Sequence, residues 1–267
     1  MTDPYGSPPS GPSDREREGS FEAIASWYDG RMGDEGDGTH RHLLLPALSR
    51  ALGGAAGLSA LDLGCAGGVC GRLLAKRGAR VVGLDLSPSL VALARSREET
   101  QPRGIGYLVA DAASLPFPSA RFARVVAHMV LMDAEDAAGI IREAARVLAP
   151  GGRFVASLLH PCFEPPQGAD WQVGEDETGR RHLRRIWRYR DVYSEADRIA
   201  RGQPVPITRY HRPLEWYAAR LREAGLLIDT LDEPLPDDMA REPSAFVARQ
   251  RVVPSFLILG SRKATAR

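Results

Sequence analysis

Between residues 60 and 158 the chain alternates short apolar runs with stretches whose apolar positions fall three and four apart. The runs lie near 60–63, 80–84, 105–109, 122–127 and 152–158. Such runs suit buried strands, and the spacing between them suits helices. Strands that alternate with helices predict an α/β domain built on a parallel, doubly wound sheet. Ahead of this region Phe21, Ile24, Trp27 and Tyr28 have helical spacing, Gly30 to Gly38 is a glycine- and acid-rich loop, and His42 to Leu52 reads as a second helix. Beyond it, residues 161–212 break the pattern with five prolines, many arginines and scattered aromatics. A helix bearing Leu214, Tyr217 and Leu221 follows, then apolar runs over Leu226–Leu231 and Val252–Leu259. Residues 1–19, rich in Pro, Gly, Ser and charge, are expected to be disordered.

The join between the first two strands carries the most chemistry. The first apolar strand reaches Asp62 and then the turn Gly64-Cys65-Ala66-Gly67-Gly68; the second ends in Asp85. Glycines let a backbone approach a ligand with no Cβ in the way. A carboxylate at the next strand tip is placed to accept hydrogen bonds from a ribose. Together they predict a nucleoside-containing cofactor across the carboxyl ends of the sheet. The dinucleotide fingerprint Gly-x-Gly-x-x-Gly does not fit, because the glycines fall at 64, 67 and 68. Asp62 would repel a pyrophosphate and suit an ammonium.

Composition sets limits on the partners. Thirty-five basic residues oppose 34 acidic ones, so charge gives no reason to expect nucleic acid or a membrane surface. No apolar run is long enough to span a bilayer, and the N-terminus has no signal-like apolar stretch, so a cytoplasmic location is expected. Three cysteines, at 65, 70 and 162, argue against a disulfide framework.

The glycine turn resembles motif I of the class I S-adenosylmethionine-dependent methyltransferases, and the resemblance continues in order. Val82-Gly83-Leu84-Asp85-Leu86-Ser87 is similar to the second-strand motif and Val109-Ala110-Asp111-Ala112 to the third. Leu115-Pro116-Phe117 with Phe122, Val125 and Val126 is similar to the approach to strand four. Residues 145–154, Ala-Arg-Val-Leu-Ala-Pro-Gly-Gly-Arg-Phe, are similar to the helix, turn and strand that close the core. The resemblance covers roughly residues 20 to 160 and resumes near 211. The chain departs from the family at Ala66, usually glycine, and at Ala123, often aspartate.

This resemblance implies a Rossmann-like, seven-stranded sheet, mostly parallel with an antiparallel last strand. The implied division is a tail over 1–19, cofactor-covering helices over 20–58, an S-adenosylmethionine-binding core over 59–160, an acceptor-binding lid inserted after strand five over 161–212, and the last helix and strands over 213–267. It also implies that Gly64, Cys65 and Ala66 contact the methionine part, with Asp62 on its ammonium. Asp85 would hold the ribose, Leu86 the adenine face, and Asp111 with the Ala112 amide the adenine edge. His128 and Met129 would line the far side, and Tyr28 would close over the methionine end.

The acceptor side rests on position. A general base is needed only where the methyl acceptor must lose a proton, and histidine suits that role near neutral pH. His160 follows strand five and His211 lies where the insertion returns, which makes them the candidate bases. Phe163, Trp187 and Tyr189 are candidates for binding a flat acceptor, and Arg180 to Arg190 form a basic cluster beside them. The acidic loop Asp34, Glu35 and Asp37 is read as solvated, and no metal is expected. The expected enzyme methylates a small, aromatic or heterocyclic metabolite of secondary metabolism, as a monomer or homodimer. A nucleic-acid methyltransferase and a non-catalytic cofactor-binding regulator are the alternatives.

Overall fold

A computed structural model describes residues 20–176, 179–235 and 249–265, with side chains for all of these except 175–181. The tail expected over 1–19 lies outside the described residues. The strands are β1 (Ser59–Leu63), β2 (Arg80–Asp85), β3 (Gly106–Val109), β4 (Phe122–His128), β5 (Leu148–Leu159), β6 (Ala169–Asp176), β7 (Gly179–Ile186), β8 (Tyr193–Asp197), β9 (Ile207–His211), β10 (Leu226–Asp232) and β11 (Phe256–Lys263). The helices are α1 (Ala25–Met32), α2 (Leu45–Leu52), α3 (Val69–Lys76), α4 (Pro88–Thr100), α5 (Ala137–Val147) and α6 (Leu214–Glu223).

Seven strands form one sheet in the order β10-β11-β5-β4-β1-β2-β3. The pairs among β5, β4, β1, β2 and β3 are parallel, and β11 runs antiparallel to both β5 and β10. Successive buried residues explain the double covering. Leu61 and Leu63 pack on one face while Ala60 packs on the other; Phe154, Ala156 and Leu158 alternate with Val155 in the same way. Side chains of neighbouring strand residues point to opposite faces, so an uninterrupted apolar strand needs helices on both. One face is covered by α5 and α6 through Ile140, Ile141, Tyr217 and Leu221. The other is covered by α2, α3 and α4 through Leu48, Leu52, Leu74 and Val91.

Three expectations are corrected here. The second N-terminal helix, α2, packs flat on the sheet against Val155 and Ile258 instead of covering the ligand edge, because its Leu45, Leu48 and Leu52 form a continuous apolar stripe. The last strand starts at Phe256, since Val252 and Val253 close a turn onto Arg249. The described part of residues 161–212 contains two antiparallel strand pairs, β6–β7 and β8–β9.

The second hairpin is tied to the core by Arg212. Its guanidinium is buried and donates to the carbonyls of Leu131 (3.1 Å), Ala134 (3.0 Å) and Glu135 (2.6 Å). The same group lies over Tyr210 and Trp216, at 5.1 and 4.9 Å from the ring centroids. Arg212→Met keeps the volume but leaves these carbonyls without their donor. Each buried unmet acceptor costs about 1–3 kcal/mol, so urea denaturation should show a loss of about 3 kcal/mol or more. A loss below about 1 kcal/mol would contradict this role.

Candidate active site

The strand order reverses between β1 and β4, the place where ligands bind in open α/β sheets. A cavity of about 730 Å³ opens there, inside the range of roughly 300–1,000 Å³ usual for small-molecule sites. Gly64, Ala66, Asp85, Leu86, Ala110, Asp111, Ala112, His128, Met129 and Val130 line one half, with Phe21, Glu22 and Tyr28 from the N-terminal segment. The other half is lined by Asp133, Glu135, Val192, Ile207, Thr208, Tyr210, Arg212 and Trp216, among others.

The turn after β1 takes its shape from three positions with positive φ, Gly64, Ala66 and Gly68. Gly64 has φ 63°, and a Cβ built on it would lie 2.5 Å from a Val130 methyl. Only glycine fits. Ala66 has φ 45°, a conformation that side chains disfavour, which gives a reason for glycine at this place in the family. Asp85 holds the turn: its carboxylate accepts from the Ala66 amide and from the Ser87 amide, each at 2.9 Å. Burial raises its pKa against these hydrogen bonds. Each carboxylate oxygen retains acceptor capacity for a ligand hydroxyl. Beside it Leu86 is 71% exposed on the cavity wall, an apolar surface left open for a flat group.

The N-terminal segment is latched across this half. The Ser87 and Ser89 hydroxyls donate to the Glu22 carboxylate. Arg97 of α4 grips Asp29 of α1 through two bonds of 2.5 and 2.7 Å. Tyr28 is thereby held on the cavity wall, with its phenol pKa raised by burial and by Asp133 and Asp85.

His128 ends β4 on the same wall. Its Nδ1 lies 2.6 Å from Ser157 Oγ, which accepts from the Met129 amide at 3.0 Å. The ring's Nε2 is buried with no hydrogen-bond partner. Burial also lowers the His128 pKa to about 3. His128 is neutral here and is unsuited to act as a base.

Several predicted residues are elsewhere. Asp62 is fully buried under α3, next to Cys70 and Gly71, and does not line the cavity. A strand places successive side chains on opposite faces, and that of Asp62 is the α3 face. Cys65 is likewise buried in the core on that side. His160 is turned to Glu233, at 2.9 Å from Nε2, and accepts from the Cys162 amide. Phe163 stacks on the His160 ring. His211 Nε2 donates to the Tyr189 carbonyl at 2.8 Å, and the Tyr189 hydroxyl accepts from the Leu214 amide. Trp187 is half exposed with Arg185 over its ring. None of these five lines the cavity. They build the joints of the insertion, where the His211 ring bonds the Tyr189 carbonyl and packs on Tyr193. Of the basic cluster, the side chains of Arg180 and Arg181 lie outside those described; Arg184, Arg185 and Arg188 pair with Glu164, Asp170 and Glu195. Among the described residues no group of three or more His, Cys, Asp or Glu is arranged for a metal, and no helix is long and apolar enough to cross a membrane.

Known proteins agree with this geometry. The family described as Methyltransferase domain matches residues 61–156. A solved S-adenosylmethionine-dependent methyltransferase from Mesorhizobium loti is 30% identical, with a TM-score of 0.69, over 82% of this chain and 96% of that one. The chain belongs to the class I S-adenosylmethionine-dependent methyltransferases. A demethylmenaquinone methyltransferase from Thermus thermophilus is 39% identical over 111 residues, and a ubiquinone biosynthesis O-methyltransferase from a Methylobacterium species is 36% identical over 105. Those matches take in 41% and 39% of this methyltransferase and 49% and 42% of the relatives, so it spans about half their length or less.

The residues present fit the family's cofactor: a glycine that only a bare backbone can occupy, a strand-tip carboxylate with acceptor capacity, and an open leucine face. Asp133, Thr208 and Arg212 line the cavity without having been singled out by the sequence. Asp133 was open to discovery, because the loop after β4 leaves the carboxyl edge where ligands gather.

The buried Asp62 yields a pH test. Burial raises its pKa to about 7, with the Gly71 amide and Cys70 thiol holding it back. An unfolded aspartate titrates near ~3.9. The folded state therefore binds the extra proton between these values, and this group's contribution to stability falls as pH climbs from about 4 through 7. Asp62→Asn removes that slope. Relative to wild type, the variant should gain in urea midpoint between pH 4.5 and pH 8; an equal difference at both would show that Asp62 titrates normally.

Proposed function

We propose that this methyltransferase transfers a methyl group from S-adenosylmethionine to a hydroxyl, amine or ring carbon of a small aromatic or heterocyclic acceptor. The single observation that carries the proposal is one continuous cavity, running from Asp85 and Leu86 to a second wall of Val192, Ile207, Tyr210 and Trp216. In this reading Asp85 accepts from the ribose hydroxyls, Leu86 packs on the adenine, and Asp111 with the Ala112 amide meets its edge. Backbone at Gly64 and Ala66 runs along the methionine part, while Tyr28, His128 and Met129 enclose it. When bound, the cofactor supplies an electrophilic methyl on a sulfonium. The protein's task is then to align the acceptor and keep water out. Tyr28 and the β8–β9 hairpin both line the cavity and provide cover.

The curated relatives are named for quinone methylation, which favours a flat ring as acceptor. The charge of the wall argues against a nucleic acid. Glu22, Asp85, Asp111, Asp133, Glu135 and Asp136 line it against Arg212 and Arg220, and Arg212 is committed to backbone carbonyls. Such a wall repels phosphodiesters.

Isothermal titration with S-adenosylhomocysteine tests the cofactor half. Wild type should bind in the micromolar range, and folded Asp85→Ala should lose about 2–3 kcal/mol, the scale for removing a charged hydrogen-bond acceptor. No binding by wild type would end the proposal. A screen of small phenols, amines and heterocycles with labelled S-adenosylmethionine then identifies the acceptor.

A further inference from the structure

We propose that Asp133 is the acceptor-side anchor of the cavity, a buried carboxylate that receives a hydrogen bond from an O–H or N–H on the acceptor's ring. The assignment rests on the methyltransferase reading above and deepens it by naming the acceptor as a ring bearing a hydroxyl or amino group.

Three observations lead to it. Asp133 lies in the loop between β4 and α5, on the cavity wall a few residues beyond Met129 and Val130. Its side chain is 9% exposed, and its Oδ1 is buried with no hydrogen-bond partner. Arg209 of β9 forms a long ion pair with that oxygen, Nε to Oδ1 3.5 Å, and its Nε makes no hydrogen bond. A well-made structural pair would use both groups. Buried polar atoms are nearly always paired; this carboxylate has a long ion pair with Arg209 and lines the cavity, which leaves it acceptor capacity for a ligand's donor.

The surroundings of Asp133 keep it usable. Arg209 and Asp197 face it from the β8–β9 hairpin, Tyr28 from α1 and Tyr217 from α6. Burial raises its pKa to about 6, with Arg209 lowering it and Asp197 raising it. The carboxylate is therefore charged at neutral pH. The Tyr28 phenol feels both Asp85 and Asp133, which sets Asp133 at the meeting of the two halves. His160 and His211 do not line this cavity, whereas Asp133 does.

A matched pair of probes tests the assignment without knowledge of the natural acceptor. Phenol and toluene have nearly the same shape and differ in the donor. Ligand-observed NMR titrations would be run on protein saturated with S-adenosylhomocysteine. At pH 7.5 phenol should bind about tenfold or more tighter than toluene, the scale of a hydrogen bond to a charged group. In Asp133→Asn the preference should shrink to about twofold with S-adenosylhomocysteine affinity retained, and Asp133→Glu should restore part of it. In wild type the preference should fall as pH drops through about 6. This profile decides the matter alone if the Asn variant does not fold. If S-adenosylhomocysteine binds but phenol and toluene bind alike, or neither binds, Asp133 is not the anchor while the cofactor reading survives. A preference that persists in Asp133→Asn, or is flat from pH 5 to 8, overturns it equally. Failure of S-adenosylhomocysteine itself to bind brings down both.

Discussion

Asp85 sits at the tip of β2 and accepts two backbone amides, one from the turn that leaves β1 and one from the turn that starts α4. That double acceptance binds two adjacent strand ends into one platform. It also explains how Ala66 is kept in a left-handed conformation that alanine disfavours. On the other side the turn cannot relax, because Val130 fills the space above Gly64. The platform is therefore rigid before any ligand arrives, and the cost of ordering it is met on folding.

Unpaired polar atoms gather at this end of the sheet. Both Asp62 oxygens, His128 Nε2 and Asp133 Oδ1 are buried without hydrogen bonds of good geometry. Their roles differ. Asp62 lies below the turn, on the α3 side, and its raised pKa reports the energy of keeping a carboxyl there. His128 and Asp133 belong to the wall, one a neutral imidazole and the other a carboxylate acceptor. Such polar features persist where the site's work requires them, with stability supplied by the two apolar layers around the sheet.

The sheet, its strand positions and the glycine turn were legible in the sequence because each has a local cause. Apolar runs fix strands, and a turn that needs positive φ selects glycine at 64 and 68. The family resemblance carried the order of motifs and the antiparallel β11. Acceptor chemistry was not legible in the same way. Placing His160 just after strand five gives the edge of the sheet but not the direction of the ring, and Glu233 and the Cys162 amide draw it into the wall beneath the insertion. Trp187, Tyr189 and Phe163 were chosen for their aromatic rings, yet the cavity uses Tyr210 and Trp216, whose position depends on the Arg212 tie. The strand pairs of 161–212 leave little trace in the sequence because charged residues dominate β7 and hide its alternation.

The most direct measurement is a crystal structure of the complex with S-adenosylhomocysteine. The account predicts ribose hydroxyls on Asp85, adenine over Leu86 toward Asp111, and the sulfur turned toward the half lined by Asp133 and Tyr210. A ligand whose ribose avoids Asp85, or whose sulfur faces away from that half, would contradict it.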